Sequence, residues 1–212
     1  MPGTRRAGRA GRRPPVLLVL CGPSHAGKST FARRWCQGFC VVSSEAIRRE
    51  LTGSARMRRD EERVWRTFDA RKRQALSRGD DVVLDACHLT EKARRHALEG
   101  PNARHRKVLV LFDVPLEVVR QRCLEAKRLP LAEVERMWQA FQVSRPSREE
   151  AARLGFDEVH VVGRAGQQRH RFRRRRRGSG TGGHGTKADR GLSARAYRRR
   201  CSRPRRAGMA KL

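Results

Sequence analysis

The sequence contains no long apolar run. Its longest apolar stretch, Val16–Cys21, is far shorter than the ~20 residues that a membrane helix needs. The stretch is followed by Gly22-Pro23 rather than by a small-residue cleavage site, which argues against a secretory signal. We therefore expect a cytoplasmic protein without membrane contact.

The six cysteines form no CxxC pair, and no histidine stands at zinc-finger spacing from them. Cys36 and Cys40 lie four residues apart near a predicted helix end, where packing in the core is favoured over metal binding. This usage indicates a reduced cytosolic protein with small buried thiols. The cysteines are Cys21, Cys36, Cys40, Cys87, Cys123 and Cys201.

Acidic residues are few, with 21 Asp and Glu against 51 Lys and Arg and a net charge of +30. Such an excess suggests a nucleic-acid partner. Most of it lies at the ends, because residues 1–15 hold five basic and no acidic residues and residues 164–212 hold eighteen and one. Residues 16–163 hold 28 basic and 20 acidic residues. Arginine outnumbers lysine 44 to 7, and GC-rich coding is an alternative source of that bias.

The distribution of apolar residues predicts one domain over residues 16–163 between two basic tails. Its 148 residues are the usual size of a domain with a single core, which excludes two large domains. Residues 1–15 and 164–212 lack apolar periodicity, and residues 173–177 are five consecutive arginines, so both tails are expected to be disordered. The sequence has no internal repeat.

Strand and helix patterns alternate through the domain. This order predicts an α/β fold with a parallel sheet covered by helices on both faces. The predicted strands cover residues 16–20, 39–42, 81–85, 108–112 and 159–162. The predicted helices cover residues 27–35, 45–51 and 60–76, a segment capped by Thr90, a segment through 118–124, and a segment from Pro130 to Phe141.

The most specific motif is GPSHAGKST, residues 22–30, which we call the phosphate loop. It fits G-x-x-x-x-G-K-[ST] between a predicted strand and a predicted helix. Gly22 and Gly27 allow a close backbone approach, so that successive amides can point at one phosphate. Lys28 is expected to reach the β- and γ-phosphates of ATP, and the Ser29 hydroxyl to ligate Mg²⁺. The predicted nucleotide-binding residues are Gly22, Ser24, His25, Ala26, Gly27, Lys28, Ser29 and Thr30.

Two aspartates follow predicted strands. Asp85, in VVLDACHLT, falls at the sheet edge where ligands of open α/β folds gather. It is predicted to take part in holding Mg²⁺ or to orient the acceptor, with a strand-end or helix-capping role as the alternative. Asp113 has a similar position, but the nearby Pro115 favours a turn role over catalysis.

A carboxylate and a guanidinium lie just beyond the second predicted strand, in VVSSEAIRREL. Glu45 and Arg48 are three residues apart, so they share a face of a helix and could meet the same substrate. Glu45 would be the general base and Arg48 a clamp on an acceptor phosphate. By spacing alone, an ordinary N-terminal glutamate and an exposed arginine are the favoured explanation of the pattern.

These segments resemble the P-loop polynucleotide kinase group, especially the kinase module of bacterial end-healing enzymes and stand-alone relatives labelled AAA-family ATPases. The resemblance covers about residues 16–162. It is carried by GPSHAGKST, VVSSEAIRREL, VVLDACHLTEKAR, FDVPLEVVRQRC and RPSREEAARLGFDEV, in the same order and at the same spacing.

The resemblance implies roles for particular residues. It makes Glu45 the base that deprotonates a 5′-hydroxyl and Arg48 the holder of the adjacent phosphate, although the family base is usually aspartate. After Asp85 the family commonly has Ala-Thr-Asn, whereas this sequence has Ala86-Cys87-His88. Arg94 matches a family arginine in the following helix.

The family also has a short helical lid whose arginines grip the donor phosphates. Arg122 matches the first of them. For the second, Arg128 is preferred over Lys127, because a bidentate guanidinium suits that role better.

The resemblance predicts an ATP- and Mg²⁺-dependent kinase acting on the 5′-hydroxyl of RNA or DNA. Two alternatives stay open: a kinase for a small-molecule hydroxyl, and a non-enzymatic nucleotide- or nucleic-acid-binding adaptor that uses its tails. The sequence carries no recognisable phosphatase or ligase module, so complete end repair would need separate partners.

Overall fold

Five parallel strands form the central sheet of the computed structural model, which describes residues 13–54 and 60–163. The strand order is β2-β3-β1-β4-β5, and every neighbouring pair is parallel. The strands are β1 Val16–Cys21, β2 Cys40–Ser43, β3 Val82–Asp85, β4 Arg106–Asp113 and β5 Glu158–Gly163. The predicted parallel α/β sheet is thereby confirmed.

Seven helices connect and cover these strands within the described residues. Six correspond to predicted helices, with ends that differ by one to a few residues. They are α1 Lys28–Trp35, α2 Ser44–Thr52, α3 Glu61–Ser77, α4 Glu91–Ala97, α5 Leu116–Ala126, α6 Leu131–Ser144 and α7 Arg148–Arg153. The predicted cap is also present, because the Thr90 hydroxyl accepts from the Ala93 amide at the start of α4.

The continuous apolar run of β1 follows from its place at the centre of the sheet. All six of its residues are buried, because helices cover the sheet on both faces. Phe68 of α3, Ile47 of α2 and Phe141 of α6 pack in the same core cluster as β1. This core fixes the carboxyl ends of β1 and β3, where the candidate site lies.

Helices α5 and α6 form the lid and have a small core of their own. Val119 and Cys123 of α5 pack against Val134 of α6. The Trp138 indole donates to the Val114 carbonyl at 2.8 Å, which ties α6 to the start of the lid. The predicted short helical lid is therefore present.

Helix α7 is the element that the sequence patterns did not predict. It has only six residues, of which Ala151 is buried, so it carries no apolar stripe. Its start did carry a signal, because Ser147 and Glu150 form a reciprocal capping box.

The two predicted tails lie outside the described residues, apart from residues 13–15. At that boundary Arg13 pairs with Asp81 at 2.7 Å. In the part of the chain that the structure describes, no helix is both long and apolar enough to span a membrane. Cys36 is buried as expected, and burial raises the pKa of its thiol to about 12.

Candidate active site

The phosphate loop leaves the carboxyl end of β1 and is pressed against the neighbouring strands. A Cβ at Gly22 would lie 2.8 Å from Phe112 Cβ of β4, a separation that side chains do not tolerate. The Gly22 amide donates to the Cys87 carbonyl at 2.9 Å, which ties the loop to the end of β3. Gly27 has a φ of 101° immediately before α1, a left-handed conformation that glycine adopts at little cost. The two motif glycines are thus required by the backbone path.

Lys28 lies folded over the loop. Its side chain is buried, and Nζ donates to the Gly22 carbonyl at 2.9 Å and to the Pro23 carbonyl at 2.7 Å. Because Lys28 is also the first residue of α1, its charge and the positive end of the helix dipole lie together. The exposed Thr30 hydroxyl accepts a long 3.4 Å contact from Arg33.

Ser29 and Asp85 meet at the end of β3. The Ser29 hydroxyl donates to Asp85 Oδ2 at 2.8 Å. Burial raises the pKa of the Asp85 carboxyl, while the hydrogen bond from Ser29 and the charge of Lys28 oppose that rise. A buried carboxylate beside a hydroxyl is an all-oxygen donor pair, which is the chemistry that Mg²⁺ prefers. These two residues fit a magnesium ion, whose charge would offset the desolvation of Asp85.

The middle of the loop carries a histidine in an uncommon conformation. His25 has a φ of 63° and is half-buried. Burial lowers the pKa of its ring, as do the charges of Arg128 and Lys28, and the charge of Glu45 opposes this effect. The hydroxyl of the preceding residue, Ser24, lies 3.8 Å from the Cys87 sulfur.

The two lid arginines contact opposite parts of the site. Arg122 Nη1 lies 3.3 Å from the His25 carbonyl and 3.4 Å from the Ala26 carbonyl. Arg128 Nη1 lies 3.2 Å from Glu45 Oε1. The lid therefore reaches both the phosphate loop and the start of α2.

Glu45 and Arg48 both lie on α2, as predicted, but their side chains have different partners. Glu45 accepts from Arg49 at 2.9 Å and from Arg128. Arg48 is buried and makes a bidentate contact with Glu61 of α3, at 2.6 Å through Nε and 3.0 Å through Nη2. The hydrogen bond with Glu61 raises the pKa of the Arg48 guanidinium. Helical spacing placed both residues on α2, but a long-range partner sets the direction of Arg48.

Two further residues singled out in the sequence, Arg94 and Asp113, connect elements of the fold. Arg94 is buried and donates to the carbonyls of Leu89 and Ser144, both at 2.7 Å. Asp113 is the last residue of β4 and pairs with Arg145 at 2.5 Å. This ion pair is a structural contact in addition to the predicted turn role. The pair of Asp113 joins the sheet to the end of α6, and the bond from Arg94 joins α4 to the same end.

Sequence reasoning missed Glu61, the partner of Arg48. Glu61 begins α3, and no periodicity in the sequence links it to α2. Residues 55–59, between the two helices, lie outside the described part of the chain. The sequence held no signal for this pair, because the burial of Arg48, which requires a carboxylate partner, is visible only in the structure.

Comparisons with known proteins identify the family and the fold of this chain. Residues 17–144 match the family described as AAA domain. The fold is similar to that of a chain of the Pnkp1/Rnl/Hen1 RNA repair complex, with a TM-score of 0.55 and 23% identity over 66% of this chain and 48% of that one. This chain thus spans about half the length of that relative. No curated protein matches the sequence.

Two further structures share the fold. A candidate kinase from Chloroflexus aurantiacus has a TM-score of 0.53 and 17% identity over 72% of this chain and 87% of that one. A chain of the PezAT toxin–antitoxin system of Streptococcus pneumoniae has a TM-score of 0.57 and 12% identity over 74% and 70%. Together these structures show a P-loop kinase fold.

Proposed function

Because the chain belongs to the AAA domain family and has a P-loop kinase fold, we propose that it transfers the γ-phosphoryl group of ATP to the 5′-hydroxyl of a polynucleotide. One observation carries the proposal: the lid touches both the phosphate loop, through Arg122, and the carboxylate of Glu45, through Arg128. A donor phosphate held by the loop and a hydroxyl beside Glu45 would then lie under the same pair of guanidinium groups. In this proposal residues 16–163 are the kinase domain.

The donor half of the reaction rests on the phosphate loop. The loop amides would cradle the phosphates, and Lys28 would exchange the carbonyls of Gly22 and Pro23 for the β- and γ-phosphates. Ser29 and Asp85 would hold Mg²⁺, which supplies neutralisation of phosphate charge when it is bound. The contact between Ser29 and Asp85 at 2.8 Å supports this assignment.

The transfer itself needs little more than alignment and charge. The acceptor oxygen forms a bond to the γ-phosphorus, the bond to the β–γ bridging oxygen breaks, and ADP leaves. Arg122 and Arg128 would stabilise the charge on the transferred group, an electrostatic role of the kind that contributes most in phosphoryl transfer. The hydroxyl proton would pass to the Glu45 carboxylate.

The acceptor assignment is supported by Glu45, Arg48 and the resemblance of the surrounding motifs. Arg48 has two N–H groups on Glu61, and a guanidinium has five donors. In this proposal a phosphate next to the 5′-hydroxyl would bind donors of Arg48 other than the two that contact Glu61. The product, a 5′-phosphorylated end, is a substrate for ligation, so a separate ligase and a separate phosphatase are the proposed partners.

The proposal is tested by incubating the full-length protein with γ-labelled ATP, Mg²⁺ and 5′-hydroxyl oligonucleotides of RNA and DNA. Label on the oligonucleotide, and none with Lys28→Ala, is the expected result. If the wild-type protein binds ATP but labels neither oligonucleotide, the polynucleotide assignment is wrong.

A small-molecule acceptor is the second candidate, because the bidentate contact with Glu61 already occupies part of Arg48. An acceptor without a phosphate would leave that pair intact. The same assay with sugars, nucleosides and aminoglycosides distinguishes the two candidates, since only the second predicts label on a small hydroxyl compound alone.

A further inference from the structure

Trp65, in the first turns of α3, exposes a large aromatic side chain. It is 39% exposed, whereas Val64 before it and Phe68 one turn later are buried. Single apolar residues at a protein surface are common, so exposure alone assigns no role. Trp35 is similarly exposed, and there the Arg34 guanidinium lies over the ring at 5.4 Å. What distinguishes Trp65 is its position beside the residues of the candidate acceptor site.

Two buried rings fix the indole of Trp65 at the site end of the sheet. Its centroid lies 5.4 Å from that of Phe68, with the planes at 63°, an edge-to-face arrangement that aromatic pairs prefer. The Phe68 ring in turn lies 6.4 Å from the ring of His88, three residues beyond the end of β3. Tryptophan has only two side-chain torsions, so a ring held in this way loses little conformational entropy when a ligand covers it.

Trp65 also neighbours the partner of Arg48. Glu61 precedes it by four residues on α3, a spacing that places two side chains side by side on a helix surface, with Cβ atoms about 5–6 Å apart. The Glu61 carboxylate holds Arg48 at 2.6 and 3.0 Å. The exposed indole therefore lies one helical turn from the carboxylate that positions this guanidinium. An aromatic surface near a guanidinium matches the two parts of a nucleotide, its base and its phosphate.

We propose that Trp65 is a stacking surface for the acceptor strand and takes one of the two bases that flank the phosphate assigned to Arg48. This inference rests on the proposed function and adds to it a residue that binds a base rather than the terminal hydroxyl. Every base has a π face, so stacking adds affinity without selecting a sequence. A hydroxyl compound that has no base would lack this contact.

The kinetic test compares wild type with Trp65→Leu on 5′-hydroxyl oligonucleotides. Leucine keeps an apolar side chain against Phe68 but has no aromatic face. We expect KM for the oligonucleotide to rise about 5- to 100-fold, with kcat and KM for ATP changed less than about threefold, because stacking contributes to binding rather than to the chemical step. Trp35→Leu is the matched control, since Trp35 is a comparably exposed tryptophan at the end of α1. An equal rise in both variants would overturn the proposal.

Oligonucleotides that lack a single base separate stacking from a structural defect. The missing base is placed at the first or the second nucleotide from the 5′ end. At the nucleotide that stacks on Trp65, its loss should raise KM for wild type but add little in Trp65→Leu, because both changes remove the same contact. A variant that is merely misfolded would show additive effects at both nucleotides. Additive effects at both, or an unchanged KM in Trp65→Leu, would contradict the stacking role.

Tryptophan fluorescence distinguishes failure of this proposal from failure of the proposed function. Without ATP, a 5′-hydroxyl oligonucleotide should quench the emission of wild type and of Trp35→Phe, and should quench Trp65→Phe clearly less. If wild type shows this quench but labels no oligonucleotide, the polynucleotide kinase assignment is wrong and the base-binding role of Trp65 stands. If wild type labels the oligonucleotide and Trp65→Phe is quenched as strongly as wild type, the stacking role is wrong and the kinase assignment stands. Neither label nor quench would overturn both.

Discussion

Arg128 Nη1 lies 3.2 Å from Glu45 Oε1, although the two residues are 83 positions apart in the sequence. Their side chains are 60% and 40% exposed, and exposed ion pairs contribute at most ~1 kcal/mol. The contact is therefore weak enough to yield to a phosphate, yet it joins the lid to the start of α2. It makes the lid arginines the first residues to test.

Replacing Arg122 by alanine should lower kcat about 100- to 1,000-fold, because its guanidinium would stabilise charge that develops on the transferred phosphoryl group. KM for ATP should change far less. Arg120→Ala is the control on the same helix, since Arg120 pairs with Glu135 at 2.6 Å. Steady-state kinetics on both variants measure this, and equal losses would contradict a specific role for Arg122.

Gly22→Ala should destabilise the fold as well as abolish nucleotide binding. A Cβ there would approach Phe112 Cβ to 2.8 Å, and overpacking of this kind costs about 1–3 kcal/mol. Urea unfolding and ATP titration measure the two effects. Gly53→Ala is the control, because Gly53 also has a positive φ but nothing lies within 4 Å of its Cβ position. A loss of stability as large in Gly53→Ala would show that φ alone explains the result.

Asp85→Asn should abolish Mg²⁺-dependent activity and at the same time stabilise the ligand-free fold. Because burial raises the pKa of Asp85 above its ordinary value of 3.8, the folded protein binds this proton more readily than the unfolded chain. The contribution of Asp85 to the free energy of unfolding is thus present at low pH. It falls as the pH rises from 3.8 toward neutrality. An asparagine removes the buried charge, with an expected gain on the order of 1 kcal/mol at pH 7. Denaturant melts without Mg²⁺ measure it, and a loss of stability would contradict this account.

The pH dependence of stability should follow His88. This ring is buried against the Leu20 carbonyl at 2.8 Å, and burial lowers its pKa from 6.5 to about 4. Between those values the unfolded chain takes up a proton that the folded protein refuses, so stability is lost as the pH falls from 6.5 to about 4. The loss amounts to about 3 kcal/mol.

The variant His88→Asn isolates this effect. Asparagine tolerates the φ of 44° and can donate to the same carbonyl, but it does not titrate. Unfolding free energies at pH 7, 6, 5 and 4 should therefore fall more steeply for wild type than for the variant. Parallel curves would assign the acid sensitivity to other groups.

Most of the strands and helices were predicted from local sequence patterns, because residues close together in the chain determine them. The apolar run of β1 and the G-x-x-x-x-G-K-[ST] spacing of the phosphate loop can be recognised without knowledge of distant residues. The pairing of Arg48 with Glu61 was missed because a buried guanidinium is directed by the nearest carboxylate in space. The six-residue α7 was missed because its amphipathic pattern is too short, although the capping box at Ser147 indicated where it begins.

For the candidate site, the sequence predicted which residues gather but not how they are held. Lys28, Ser29 and Asp85 lie together as expected from the strand ends. The contact between Arg128 and Glu45 depends on where the lid folds back, which no spacing in the chain encodes. Arg94 matched a family pattern, and only its burial and its bonds to three carbonyls reveal its structural contacts.

The two ends of the lid are fastened at one place. Asp113, just before the lid, pairs with Arg145, just after it, at 2.5 Å, and Arg94 holds the Ser144 carbonyl beside them at 2.7 Å. The segment between them is thus an insertion whose two ends are held together at the sheet. Lengthening such an insertion costs little conformational entropy. Relatives can therefore gain or lose lid residues without disturbing the sheet, which makes this segment the natural site for evolutionary divergence and for grafting lids between enzymes.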